Sequence, residues 1–209
     1  MKNPHWHYFS ALSEDVERTA RFVEPTPDNF KTYSIEFARL YLAIGSEIDV
    51  VAKLLCHKAD PLAKLNGIDS YRPVILAKYG DFPEVEVSVP LGELSLTPWK
   101  EWRNGANPGW WGQYNGVKHE RDKYFKEANL QNTLNALGGL LVVVGYLYAE
   151  ELRDCYSPPS QHFIRFSTKY HSGTSLGPTG SLAGFRLPGI PRPESLLKAL
   201  KASGITPGE

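Results

Sequence analysis

The sequence predicts a mainly α-helical fold: a helical bundle with an inserted β-hairpin and an extended C-terminal appendage rich in glycine and proline. Apolar residues recur every three or four positions over most of residues 13–154, which is the period of one buried helical face. Near residues 84–97 this period changes to two, and after residue 156 glycine and proline become dense. We therefore divide the chain into a bundle domain, residues 1–156, and an appendage, residues 157–209.

The N-terminal half contains three predicted helices. Ser13 can cap a first helix over residues 13–23, since the acidic residues that follow it favour the positive end of the helix dipole. Ser34 opens a longer second helix, whose apolar residues follow a helical spacing to residue 55. A third, shorter helix is predicted over residues 69–79, where Pro73 is accepted because it lies in the first turn.

A β-hairpin and two further helices complete the predicted bundle. Valine and leucine alternate with polar residues on both sides of Pro90-Leu91-Gly92, which indicates two paired strands. A helix is then predicted from Trp110 to about Lys126. The last helix runs from about Asn129 to Asp154 and is apolar nearly all round at its centre, as expected for a helix surrounded by others.

The appendage has little predicted structure. Only residues 163–166 look like a strand, and a short terminal helix is predicted from Pro193 to Ala202. The glycines from 173 to 184 lack the ending of a P-loop and indicate a flexible or docking segment. Residues 173–177 match the pattern of a hydrolase nucleophile elbow, but no His or Asp follows Ser175, so the triad order is impossible.

Composition excludes several classes of protein. Lys plus Arg and Asp plus Glu both number 23, so the chain lacks the basic bias typical of sequence-independent binding along duplex nucleic acid. The longest apolar run, residues 137–148, is interrupted by glycines and is well short of the roughly 20 residues that cross a bilayer. The N-terminus lacks the apolar region of a secretory signal, so we expect a cytoplasmic protein without membrane association.

The cysteines and histidines do not form a metal motif. Cys56 and Cys155 are too few and too widely separated for a disulfide scaffold or a paired zinc motif, so we expect two reduced core thiols. His5 with His7, and Cys56 with His57, lack the spacing that gives convergent ligands. We expect no metal and no cofactor.

One predicted helix carries the candidate site. Asn115, His119 and Asp122 are spaced to share one helical face, and Lys118 and Arg121 flank it. An amide can position a substrate, an imidazole can transfer a proton, and a guanidinium can hold a phosphate with two hydrogen bonds. These are the groups that RNA cleavage requires. An ordinary surface helix is the alternative: Lys118 pairs with Asp122, His119 donates to a neighbouring helix, and Arg121 covers apolar surface.

The second helix offers a complement to this face. Glu47, Asp49 and Lys53 lie off its apolar stripe, where they can face the helix of Asn115 and contribute to substrate binding. Equally, Asp49 and Lys53 can form an ordinary ion pair four residues apart. The four tryptophans between residues 99 and 111 have two interpretations as well, an aromatic platform for a base or core packing.

Two long helices, an apolar closing helix and the sequence Trp111-x-x-Tyr114-Asn115-x-x-Lys118-His119-x-Arg121 resemble the HEPN-like helical-bundle superfamily over about residues 13–154. Members are often RNases of toxin or antiviral systems, and others are non-catalytic partners or nucleotide-binding modules. The resemblance implies a protein of prokaryotic defence that binds RNA or nucleotides or is a metal-independent ribonuclease. In the nuclease branch an Arg precedes the His, whereas here Arg121 follows His119.

The roles that this resemblance implies are specific. His119 is the general acid or base, Lys118 and Arg121 stabilise phosphate charge, and Asn115 positions the substrate. The rival interpretation is a non-catalytic interaction module, whose bundle or appendage docks a partner protein or a second copy as a homodimer or other homo-oligomer.

Overall fold

The computed structural model describes residues 3–150, 163–175, 181–185 and 187–190. Over these residues the protein is mainly helical with a small antiparallel sheet, as the sequence predicts. The elements are α1 (Pro4–Thr19), α2 (Ile35–Ala59), α3 (Ile68–Lys78), β1 (Val87–Val89), β2 (Leu94–Leu96), α4 (Gly109–His119), α5 (Arg121–Tyr124), α6 (Leu130–Leu147), β3 (Arg165–Phe166), β4 (His171–Ser175) and β5 (Ser181–Phe185).

Helices α2 and α6 pack against each other at the centre of the bundle. The Ser34 hydroxyl accepts a 3.0 Å hydrogen bond from the backbone N–H of Phe37 and starts α2 at the predicted residue. The Asn129 side chain starts α6 in the same way, accepting from the N–H of Asn132 at 2.9 Å. α6 ends at Leu147, earlier than predicted, and the rest of the predicted helix passes out of the described residues after residue 150.

α6 is the core helix of the bundle. This helix is long enough and apolar enough to cross a membrane, but 78% of it is buried inside the fold. Its apolar surface is therefore covered by protein, as expected for a helix surrounded by others.

α1 begins at Pro4, nine residues before the predicted start at Ser13. Proline suits the first turn of a helix, and Phe9, Leu12 and Val16 are buried where α1 packs on α2 and α6. Ser13 is not a cap but a buried residue inside the helix, and its hydroxyl has no hydrogen-bond partner within the part of the chain that the structure describes. The prediction was wrong because a serine followed by acidic residues is a short-range signal that also occurs inside helices.

α3 matches its prediction closely, but Pro73 lies in its second turn rather than its first. A proline there has no N–H to donate to the carbonyl of Asp69, so the helix loses one backbone hydrogen bond. The ring of Pro73 is exposed to solvent. Packing of Tyr71 and Ile75 in the core, both fully buried, holds α3 together despite this loss.

The predicted β-hairpin is present, with Val87 opposite Leu96 and Val89 opposite Leu94. β3, in the segment where a strand is predicted, pairs with the other edge of β1 and completes a three-stranded sheet in the order β2-β1-β3. The sheet packs on α6, since a Cβ atom at Gly138 would lie 2.8 Å from Cγ2 of Val87. Phe166 of β3 therefore belongs to the same buried cluster as the bundle.

The glycine-rich segment after residue 170 forms two strands that the sequence did not predict. β4 and β5 pair antiparallel, with His171 opposite Phe185 and Ser175 opposite Ser181. Strands pair through backbone hydrogen bonds, which do not require apolar and polar side chains to alternate. The side-chain pattern therefore did not predict these two strands. Ser175 ends a strand of a hairpin instead of occupying a strand-to-helix turn, as a nucleophile elbow requires. The predicted helix over residues 193–202 lies outside the described residues.

Cys56 is a free, buried thiol, as predicted, whereas Cys155 lies outside the described residues. The Sγ of Cys56 donates a hydrogen bond to the carbonyl of Tyr71 at 3.7 Å, and burial raises the pKa of the Cys56 thiol to about 12. In a Cys155→Ala variant we expect Cys56 to react with an aromatic disulfide reagent about 10³-fold or more slower than in the unfolded chain, because the reactive thiolate forms only on unfolding. The absorbance of the released thiol measures the rate, with urea-unfolded protein as the reference.

The same thiol makes stability depend on pH. The unfolded thiol ionises near pH 8.5 and the folded one only near 12, so its contribution to the free energy of unfolding is complete below about pH 8.5 and falls above it. Replacement of Cys56 by serine removes the contribution of the thiol, while the buried tyrosines, whose pKa values are also raised, keep theirs at higher pH. In the labelling experiment described above, rapid reaction of Cys56 in the folded Cys155→Ala variant at neutral pH would contradict the buried position of Cys56.

Candidate functional site

α4 is anchored on α2 by aromatic side chains. The ring of Tyr114 lies directly against Gly45, where even a Cβ atom would overlap it. The hydroxyl of Tyr41, one turn earlier on α2, donates a hydrogen bond to the backbone carbonyl of Trp110. These buried contacts fix the position of α4 and, with it, the direction in which its exposed face points.

The helix predicted as continuous from Trp110 to Lys126 is broken. α4 ends at His119, and Glu120 has non-helical backbone angles (φ −138°, ψ 54°) before the short helix α5. The chain turns back along α5, and the ring of Tyr124, its last residue, packs on Gly116, where a Cβ atom would lie 2.6 Å from Cγ of Tyr124. Asp122 follows the break, so helical spacing no longer places it on the face of Asn115 and His119.

We call Asn115, Lys118, His119, Arg121 and Asp122 the α4 end cluster. All are exposed except Asn115, which is half-buried. The expected ion pair between Lys118 and Asp122 is absent from residues 3–150, and the ammonium of Lys118 instead lies 5.6 Å from the centroid of the Tyr114 ring. His119 and Arg121 form no side-chain hydrogen bond or ion pair with any described residue. These polar groups are free to bind a ligand from solvent.

The charges of the cluster suit the end of a helix. Lys118 and His119 occupy the last turn of α4, where the helix dipole favours cations. Arg121 lies two residues after His119, at the start of α5, while the neighbouring Lys123 is neutralised by an ion pair with Glu120. The end of α4 therefore presents Lys118 and Arg121 as cations without a carboxylate partner among the described residues.

The Glu47 carboxylate pairs with a residue of α1 and not with a member of this cluster. Its side chain is only 9% exposed, and its carboxylate is 2.6 Å from Nδ1 of His5 at the start of α1. The His5 ring stacks on Tyr148 with centroids 6.5 Å apart. Since His5 and Glu47 are 42 residues apart, no local pattern relates them.

Asp49 and Lys53 form the ordinary pair that the sequence allows, with Nζ and Oδ2 2.5 Å apart. The other carboxylate oxygen of Asp49 accepts a 2.8 Å hydrogen bond from the Tyr71 hydroxyl. Burial and, after it, the charge of Asp49 raise the pKa of Tyr114. Both carboxylate oxygens of Asp49 therefore already have partners, Lys53 and Tyr71.

The four tryptophans form packing contacts and not an open platform. Trp99, Trp102, Trp110 and Trp111 are all buried, with the most exposed at 6%. The indole N–H of Trp99 donates to the carbonyl of Gly139 at 3.1 Å, and that of Trp110 to the carbonyl of Pro98 at 2.7 Å. This cluster joins the hairpin, α4 and α6.

A groove with a volume of about 630 Å³ lies on another side of α4 and was missed by sequence reasoning. Its lining comes from four separate stretches, residues 31–33, 95–101, 109–113 and 126–135. No spacing in the sequence relates these stretches. Over the described residues, no group of three or more His, Cys, Asp and Glu side chains is placed to hold a metal ion.

Comparisons with family models, with curated proteins and with solved structures give no match to this chain. The functional interpretation therefore depends on the two features above, the α4 end cluster and the polar groove. Both are built on α4, whose position is fixed by Tyr114 and Tyr41.

Proposed function

We propose that this protein is a HEPN-like cytoplasmic protein that binds RNA or nucleotides through the α4 end cluster. The observation that carries the proposal is the exposure of Lys118 and Arg121 at one helix end without a carboxylate partner among the described residues. Unpaired cations at one place attract phosphate, which forms strong charge-assisted hydrogen bonds with Arg and Lys.

Three residues of the cluster have distinct tasks in this proposal. Arg121 holds a phosphate with two hydrogen bonds, and Lys118 adds a point charge whose side chain is steadied by the Tyr114 ring. Asn115 offers both a donor and an acceptor to a sugar or base. Because the whole chain has no net charge, binding is local and involves few phosphates.

Binding is better supported than cleavage. A general acid or base works best when a second group orients its ring, and His119 has no such partner among residues 3–150. The carboxylate of Glu47 pairs with His5 and not with His119. We therefore assign His119 a contact with the ligand and make cleavage an outcome of the test below.

A binding experiment with a charge-matched control tests the proposal. We expect the double variant Lys118→Ala, Arg121→Ala to bind a fluorescein-labelled single-stranded RNA roughly tenfold or more weakly than the wild type, because two charge-assisted contacts are lost. The dependence of log Kd on log salt should decrease by about 0.7 for each lost contact. Fluorescence anisotropy at several salt concentrations measures both quantities.

The control variant Arg21→Ala, Lys64→Ala removes the same charge from exposed positions outside the cluster and should bind as the wild type does. His119→Ala should retain most of the binding, and gel electrophoresis of the RNA shows whether wild type cleaves it and this variant does not. Equal loss of RNA binding in Lys118→Ala, Arg121→Ala and in the control double variant would show a non-specific effect of charge. Failure of the wild type to bind any RNA or nucleotide would leave the interaction module as the better interpretation.

A further inference from the structure

The polar groove beside α4 has the size and chemistry of a ligand site. It opens between the first turn of α4, the end of β2 with the turn after it, and the first turns of α6. Its volume of about 630 Å³ falls within the usual range for small-molecule sites, roughly 300–1,000 Å³. None of the five residues of the α4 end cluster lines it.

Three lysines line the groove: Lys31, Lys100 and Lys126. All three are exposed, and none forms an ion pair within the part of the chain that the structure describes. Two carboxylates, Glu101 and Glu127, share the lining, so one positive charge remains in excess. Ammonium groups without partners in a concave site favour an anionic ligand.

The helix end at the groove does not supply the anion site. The backbone N–H groups of Leu130 and Gln131 donate to carbonyls of the loop before α2 at 2.9 and 3.2 Å. The next N–H, that of Asn132, donates to the Asn129 side chain at 2.9 Å. Since the first turn of α6 is satisfied within the fold, recognition of an anion falls to the lysines.

The remaining lining suits a planar group with donors and acceptors at its edge. Gln113 and Gln131 line the groove, and their carboxamides have no hydrogen-bond partner among the described residues. Tyr33 is 43% exposed, and its ring is held edge-on by Phe125 with centroids 5.6 Å apart. Carboxamides pair with the edges of nucleobases, and an exposed, fixed aromatic ring stacks on their faces.

We infer that this groove binds a nucleotide, with its phosphate held by the lysines, its base edge by Gln113 and Gln131, and its base face by Tyr33. The shared chemistry is a phosphorylated nucleoside, either free or as one unit of an RNA chain. Gln113 and Asn115 are two residues apart on α4 and point to different sides, so the groove is a second site, separate from the α4 end cluster.

Calorimetric titration of the full chain with AMP, with adenosine and with a short single-stranded oligoadenylate tests this inference. We expect Lys100→Ala, Lys126→Ala to weaken AMP binding about tenfold, through two lost phosphate contacts, and to leave adenosine binding unchanged. Gln113→Ala, Gln131→Ala should bring the affinities for AMP and CMP closer together. The Arg21→Ala, Lys64→Ala variant, with the same change in charge, should bind AMP as the wild type does.

The outcomes separate this site from the proposed function. Binding of AMP that Lys100→Ala, Lys126→Ala weakens identifies a free nucleotide as the ligand, and binding of the oligoadenylate alone that the same variant weakens identifies an RNA unit; both support the groove. If both groove variants bind all probes as the wild type does while Lys118→Ala, Arg121→Ala loses binding, the groove inference is overturned and the proposed function stands. If the wild type binds neither AMP nor the oligoadenylate at millimolar concentration, the groove inference is also overturned. Circular dichroism of each variant shows that the exposed substitutions leave the fold intact.

Discussion

Replacement of Trp99 by alanine is expected to lower the free energy of unfolding by about 3–5 kcal/mol, the range for loss of a buried aromatic side chain. The Trp99 ring is fully buried, with its centroid 4.4 Å from that of Trp102 and 5.1 Å from that of Trp110. Its indole N–H also satisfies the carbonyl of Gly139 on α6. The substitution therefore opens a cavity and removes a hydrogen-bond donor where the hairpin, α4 and α6 meet.

Urea denaturation followed by circular dichroism measures this loss. Trp99→Phe keeps most of the apolar volume without the donor and should lose clearly less stability than the alanine variant. Phe22→Ala is a suitable control, since Phe22 is 87% exposed and its removal should change stability by no more than about 0.5 kcal/mol. If Trp99→Ala and Phe22→Ala were equally stable, the tryptophan cluster would not be the packing centre described above.

Replacement of Gly45 by valine is expected to destabilise the protein by about 3 kcal/mol, the upper part of the usual range for overpacked cores. Even a Cβ atom at this position overlaps the Tyr114 ring. Tyr114 cannot easily move aside, because it is buried between Tyr41 and Trp111 with centroids 6.0 and 5.1 Å away. Relief of the overlap must displace α4, and RNA binding by its end cluster should weaken at the same time.

A matched glycine on α4 provides the control for this substitution. A Cβ atom at Gly112 meets nothing within 4 Å, so Gly112→Val should leave the free energy of unfolding nearly unchanged. Adding Tyr114→Ala to Gly45→Val makes room for the valine, so the double variant should lose less stability than the two single variants together, by about 0.5–3 kcal/mol. Strict additivity would contradict direct contact between α2 and α4 at this point.

The sequence determined those parts of the fold that depend on neighbours a few residues away. Ser34 and Asn129 each accept a hydrogen bond from a backbone N–H three residues on, and α2 and α6 begin where the sequence predicts their start. The alternating residues around Pro90 gave the hairpin, and the helical period gave the buried faces of α2 and α6. The cations at the end of α4 were also visible, because Lys118 and Arg121 are close in the chain.

Tertiary structure alone decided how these pieces meet. No proline or glycine at Glu120 predicts the break between α4 and α5. The chain turns back there because the Tyr124 ring packs on Gly116. His5 of α1 pairs with Glu47 of α2, although the two residues are 42 positions apart in the sequence. The groove likewise joins four stretches that no spacing relates. Caps and periods act over one or two turns of chain, whereas these contacts depend on which surfaces are buried together, and that is settled only when the whole core packs.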